Sequence, residues 1–206
     1  MKVHSTLTKG GNLLLLVGIV ALSYAATSWL GSHWNQRLLQ QQFERGLQES
    51  PTFDNASAAA VRNPNATGRP ESGQILGRLE IAHLDIDVIV LEGTTSAILD
   101  EGAGHIPSTA VPGTSGNIGI AAHRDTFFRG LGDIKVADEI EFTGTDGRTL
   151  RYQVEATRTV RPDEVHVLDD RGYSLLTLVT CYPFDFVGTA PERFIVHARR
   201  LPGNGE

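Results

Sequence analysis

The chain has 206 residues, a formal net charge of -6, and 40% hydrophobic and 20% charged residues. These values are ordinary for a globular protein and leave room for one domain plus accessory segments. No lysine or arginine cluster forms a basic face beyond the Arg199-Arg200 pair, which argues against nonspecific nucleic-acid binding. The single cysteine, Cys181, closes no intramolecular disulfide and is the only candidate thiol nucleophile.

The N-terminus carries the localisation signal. Residues 13–30 contain no charged side chain, and as a helix they reach roughly 27 Å, about the thickness of a hydrocarbon core. Lys2 and Lys9 precede this run, no acidic residue appears before Glu44, and Tyr24, Trp29 and Trp34 mark the far interface. The pattern predicts a cytoplasmic N-terminus over 1–12, a single-pass transmembrane signal anchor over 13–30 in the cytoplasmic (inner) membrane, and everything after about Trp34 outside. A cleaved signal peptide is the competing reading, because Ser23-Tyr24-Ala25 loosely resembles a small-x-small cleavage site. Both readings export the domain.

Residues 31–74 read as stalk and linker. Leu39, Phe43 and Leu47 recur at i, i+4 and i+8, a weak helical stripe over 36–48 that either prolongs the membrane helix or belongs to a solvated connector. From Glu49 to Gly73 the composition shifts to Pro, Asn, Ser, Ala and Gly, as in a flexible tether.

The folded domain is expected over 75–201, with 202–206 as a tail, and its signal is mainly β. Leu84, Ile86, Val88 and Val90 alternate with Asp85, Asp87, Ile89 and Leu91, and Leu150, Tyr152, Val154 and Ala156 alternate with Arg151, Gln153, Glu155 and Thr157. Period two of this length predicts strands. Asp146-Gly147 between Glu139–Thr143 and Thr149–Val160 predicts a hairpin. The short apolar runs Ile118–Ala122, Leu175–Cys181 and Phe194–Ala198 fit central strands. Thr94–Glu101 and Phe127–Ile134 are candidates for short helices. Regular strand and turn spacing suggests a closed or nearly closed β-barrel, with a Greek-key sandwich sharing the pattern.

Cys181 ends an apolar strand just before Pro183, where the interior meets solvent. A thiol near its reference pKa of about 8.5 needs a base or cation nearby to act as a nucleophile. Of the seven histidines, His123 stands out because it also ends an apolar strand and precedes the polar turn Arg124-Asp125-Thr126. Arg193 opens a third strand, and its always-charged guanidinium is suited to stabilising an oxyanion. From the residues alone, a packed cysteine, a hydrogen-bonded histidine and a solvated arginine remain the alternative.

Thr177-Leu178-Val179-Thr180-Cys181 resembles the TLxTC signature of sortases. Cys181-Tyr182-Pro183-Phe184 through Val187-Gly188 to Ala190-Pro191-Glu192-Arg193-Phe194-Ile195-Val196 resembles the class D and Gram-negative-type branch, and Asn117 to Phe128 resembles that family's histidine strand and the helix after it. The resemblance covers roughly Ile75 to Arg200. Ala121-Ala122 departs from the usual Ala-Gly, and Asp185 stands where many relatives carry an aromatic residue.

The resemblance implies an all-β, closed sortase-type barrel of about eight strands with short connecting helices, preceded by the transmembrane helix. It implies a catalytic set of His123, Cys181 and Arg193, with Thr180 and Tyr182 as substrate-binding candidates and Asp185 in a loop near the groove. The implied reaction is cleavage of a Leu-Pro-x-Thr-Gly-like signal between Thr and Gly through a thioacyl enzyme. Its implied partners are an exported protein carrying that signal and an amine acceptor, a peptidoglycan precursor or another protein.

A hydrolytic cysteine protease shares every residue of the first step, and a noncatalytic extracellular β-barrel binding module shares the architecture. One cysteine and scattered histidines lack metal-ligand spacing, and no nucleotide-binding glycine pattern is visible. No metal or cofactor is expected.

Overall fold

The computed structural model describes residues 18–19, 36–48, 69–186 and 188–202. The predicted span over 13–30, apart from residues 18 and 19, and most of the predicted tether lie outside the described residues. Among the described residues, no helix is long and apolar enough to cross a membrane.

Alternating side chains give each strand one face for an interior, and closing the sheet gathers those faces into one core. The strands are β1 (Ile75–Ile81), β2 (Ile86–Glu92), β3 (Ala103–His105), β4 (Asn117–Ala121), β5 (Glu139–Gly144), β6 (Thr149–Val160), β7 (Leu175–Tyr182) and β8 (Glu192–Arg200). They form a closed barrel in the order β1-β2-β3-β4-β7-β8-β6-β5. β2 with β3 and β4 with β7 pair in parallel, and the other neighbours are antiparallel. Leu79, Ile81, Val88, Ile118, Ile120, Phe142, Val154, Leu176, Leu178, Val196 and Ala198 fill the interior.

The predicted hairpin is present: β5 and β6 pair from Glu139 opposite Gln153 to Thr143 opposite Thr149. Gly147 turns it at φ +79, a conformation that a Cβ disfavours. Of the two predicted helices, one is α2 (Ser96–Glu101), capped by Thr95, whose hydroxyl oxygen accepts from the Ile98 amide at 3.4 Å. The other tightens to a single 3₁₀ segment, Arg129–Asp133. The alternation that begins at Leu84 enters strand only at Ile86, because Ala82–Leu84 form a 3₁₀ turn closed by Asp85 at φ 53.

Residues 36–48 form a helix, α1, which neither stands free as a stalk nor lies loose as a connector. Its stripe of Leu39, Phe43 and Leu47 packs on Ile89, Leu91, Ile98 and Ile75. The Gln36 amide donates to Glu101 O and accepts from the Ile89 amide at 3.3 Å. β2 thus has a barrel on one side and a helix on the other, which explains why Ile89 and Leu91 are apolar on its outer face.

The outer face of β4 is covered as well. His105 lies within 2.6 Å of Glu92 through Nδ1 and donates from Nε2 to Ala110 O at 2.9 Å, both side chains being buried. The Thr109 hydroxyl oxygen then accepts from the Gly119 amide at 2.9 Å. A Cβ on Gly119 would meet Thr109 at 3.0 Å and Ile106 and Leu168 at 3.1 Å, so the connection can lie this close only over a glycine.

His197 on β8 is fully buried and donates from Nε2 to Val167 O at 3.0 Å, while its Nδ1 has no partner among the described residues. Burial lowers its pKa from 6.5, so the unfolded chain binds a proton that the fold resists. Stability is therefore lost as pH falls through about 6.5 and is retained above it. His197→Gln keeps a donor for Val167 but cannot titrate. The midpoint of thermal unfolding should fall less between pH 7.5 and 5.5 in this variant than in the native protein; equal falls would remove His197 from the account.

Candidate active site

In β4, Ile118, Ile120 and then Ala122 face the core, so His123 projects from the opposite face. In β7, Leu176 and Leu178 face the core, and the same alternation sends Cys181 outward. In β8, Val196 and Ala198 point inward and Arg193 points outward. These phases follow from period two once the core residues are known.

The ladders put the three outward groups in one row. β4 and β7 pair in parallel from Asn117 beside Leu175 to Ala121 beside Val179. The Ala122 amide continues the pattern by donating to Val179 O at 3.2 Å, so the next outward positions along the two strands are His123 and Cys181. On the other side of β7, Cys181 stands directly opposite Arg193, at the cross-strand spacing where side chains on one face meet. A single cleft of about 280 Å³ is lined by His123, Arg124, Asp125, Cys181, Gly188, Thr189, Ala190 and Arg193.

Each group has a definite setting. Cys181 is free and half-buried. His123 is half-exposed, and its Nε2 lies 3.5 Å from Asp100 Oδ1, a carboxylate on α2 that is itself largely exposed. Among the described residues no hydrogen bond joins the thiol to the imidazole. Arg193 donates from Nη1 to Ala190 O at 3.3 Å and to Glu192 O at 2.9 Å. Its Nε and Nη2 donors have no acceptor among the described residues, and a guanidinium has five N–H groups to place. Three donors therefore remain to meet a carbonyl oxygen or an oxyanion.

The expected substrate contacts at Thr180 and Tyr182 are placed differently. Thr180 faces inward, 2% exposed, and its hydroxyl donates to Ala122 O at 2.8 Å. That proton is engaged within the protein, so the hydroxyl ties the cysteine strand to the residue before His123. Tyr182 projects from the face opposite Cys181 and stacks on Phe194 at 6.2 Å, with Phe184 edge-on at 6.0 Å. Phe184 and Phe194 pack on the barrel core, so Tyr182 belongs to an aromatic cluster. Asp185 is exposed in the connection between β7 and β8.

Arg124 escaped the sequence reading because an arginine in a polar turn reads as a solvated residue. Its guanidinium donates to Pro183 O at 2.7 Å, Phe186 O at 2.6 Å and Gly188 O at 3.1 Å. Asp100 likewise gave no local sign, since it reaches His123 from a separate element.

Comparison with known proteins identifies the family. The Sortase domain model matches residues 79–201. Sortase D of Bacillus subtilis (strain 168) is 34% identical over 137 residues, covering 66% of this chain and 69% of the relative. Sortase A of Bacillus anthracis is 25% identical over 150 residues, covering 71% and 69%. Among solved structures, a Clostridium perfringens Sortase D5 transpeptidase superposes with a TM-score of 0.61 at 23% identity, covering 77% of this chain and 98% of that one. Streptococcus pneumoniae Sortase C does so with a TM-score of 0.65 at 24% identity, covering 79% and 96%. These two structures share the fold.

Removing the Thr180 hydroxyl leaves Ala122 O without this donor inside the barrel, at a cost of about 1–3 kcal/mol. Thr180→Val should lose about that much unfolding free energy in urea, and Thr180→Ser should lose less. If instead the hydroxyl served a bound substrate, Thr180→Val would raise KM and leave unfolding unchanged.

Proposed function

The chain belongs to the sortase family and is a cysteine transpeptidase, and from that premise we propose a specific reaction and location. It cleaves a Leu-Pro-x-Thr-Gly-like sorting signal between Thr and Gly and passes the acyl group to an amine, anchored in the cytoplasmic membrane by residues 13–30 with its barrel outside. The observation that carries this reading is the row of imidazole, thiol and guanidinium at the ends of three neighbouring strands around one cleft.

The sulfur of Cys181, as thiolate, attacks the Thr carbonyl carbon, and the carbonyl π electrons move to oxygen. The unused donors of Arg193, with backbone amides near Cys181, stabilise that oxyanion. His123 donates a proton to the departing glycine nitrogen; the C–N bond breaks and the thioacyl enzyme remains. An incoming amine attacks the same carbon, His123 takes a proton from it, and the C–S bond breaks to return the thiolate. The half-exposed position of His123 suits this role, because one amine leaves to solvent and the other arrives from it.

An anchor on the outer face places the barrel where exported substrates are still held by their own tails, which raises the effective concentration of one for the other. The acyl acceptor, a peptidoglycan precursor or another protein, then decides whether proteins are attached to the envelope or to each other.

A peptide bearing the sorting signal, incubated with a primary amine, should give a ligated product with the native enzyme. Cys181→Ala should reduce ligation by at least about 10³-fold while leaving unfolding near native. Cleavage without ligation at saturating amine would reassign the enzyme as a hydrolase, and cleavage by Cys181→Ala would remove the nucleophile. The anchor has its own test. The native protein should stay with membranes in an alkaline carbonate wash; release, or a mature N-terminus near Ala26, would refute it.

A further inference from the structure

Arg124 follows His123 out of β4, yet its guanidinium serves the connection between β7 and β8. It donates from Nη1 to Pro183 O and from Nη2 to Phe186 O and Gly188 O, and its carbon lies 5.9 Å from the centre of the Phe186 ring. Three charge-assisted bonds from one planar fork hold a backbone segment at three points. A lysine, with one point charge on a flexible stem, cannot reproduce that geometry.

The segment so held forms one wall of the cleft. Gly188, Thr189 and Ala190 line it beside Cys181 and Arg193. Ala190 O accepts one of the two bonds that fix Arg193 Nη1, and Glu192 O accepts the other. Position is therefore transmitted from Arg124 through Gly188 and Ala190 to Arg193, so that the residue beside the imidazole helps to seat the guanidinium across the cleft.

Resting on the transpeptidase reading above, we propose that Arg124 is a positioning residue that fixes the β7–β8 connection and, through Ala190, aims the free donors of Arg193 at the carbonyl that Cys181 attacks. It acts through Arg193, not on the reacting atoms. The barrel interior is untouched by its removal, and the freed carbonyls lie near solvent, so the fold should survive.

The test compares the native enzyme with Arg124→Ala, Arg124→Lys, Arg193→Ala and the double Arg124→Ala/Arg193→Ala variant, using a fluorescence-quenched sorting-signal peptide. Arg124→Ala should lower kcat/KM by roughly ten- to a hundredfold, the scale of a misplaced catalytic group. Arg124→Lys should recover little of this, and guanidinium ion at millimolar concentration should restore part of the rate to Arg124→Ala. In the double variant the loss from removing Arg124 should shrink to less than about threefold, since the residue it positions is already gone. A native rate in Arg124→Ala, full recovery in Arg124→Lys, or an undiminished loss on the Arg193→Ala background would each overturn the proposal.

Amide hydrogen exchange supplies a readout independent of catalysis: residues 184–190 should exchange faster in Arg124→Ala and Arg124→Lys, with the barrel strands unchanged. Unchanged exchange there would also overturn the proposal. If the native enzyme itself fails to ligate, the transpeptidase reading falls, and exchange still decides whether Arg124 holds the connection.

Discussion

The pairing of β4 with β7 is the constraint on which the rest depends. These two strands are far apart in sequence and lie side by side in parallel, so that two strand ends arrive at the same lip of the barrel. Side chains alternate along a strand, and a slip of one residue would send the thiol into the core and a core residue into the cleft. The register is held from the inside by Ile118 and Ile120 packing with Leu176 and Leu178. Beyond the backbone ladder, two side-chain bonds lock it: Thr177 to Asn117 at 2.7 Å and Thr180 to Ala122 O at 2.8 Å.

The site is built on strands and then braced by elements outside the barrel. Asp100 reaches His123 from α2, whose C-terminal end is tied through Glu101 to Gln36 of α1. The covering connection after β3 is pinned by the buried pair of His105 and Glu92. Breaking such a pair leaves one polar group buried without its partner, a costlier change than never having the pair. These supports let the half-exposed groups at the lip keep one arrangement while still meeting solvent.

Much of this was legible in the sequence, for definite reasons. The hairpin at Asp146-Gly147 and the long alternation of β6 are local patterns, and a local pattern reads directly. The row of His123, Cys181 and Arg193 was legible as three residues at the ends of apolar runs, with the sortase resemblance supplying the relation between them. β3 left no trace because its three residues, Ala103–His105 with Gly104 in the middle, are too few to show a period. α1 was visible as a stripe, but its docking was not, since nothing in 36–48 says which surface receives it. The sign lay elsewhere, in Ile89 and Leu91, apolar on the phase of β2 that a one-sided strand would leave polar. Thr180 and Tyr182 flank the nucleophile in sequence, yet neighbours in a strand alternate, so both lie on the face opposite Cys181. Arg124 and Asp100 act across distances of the fold that no local pattern encodes.

The most direct measurement is the mass of the enzyme during turnover. Native protein mixed with a sorting-signal peptide and quenched in acid should gain the mass of the segment ending in Thr, bound through a thioester on the tryptic fragment that contains Cys181. The released fragment should begin with Gly. An unmodified Cys181 while peptide is being consumed, or an adduct on any other residue, would contradict the account that one strand register assembles the nucleophile, its proton carrier and its oxyanion site.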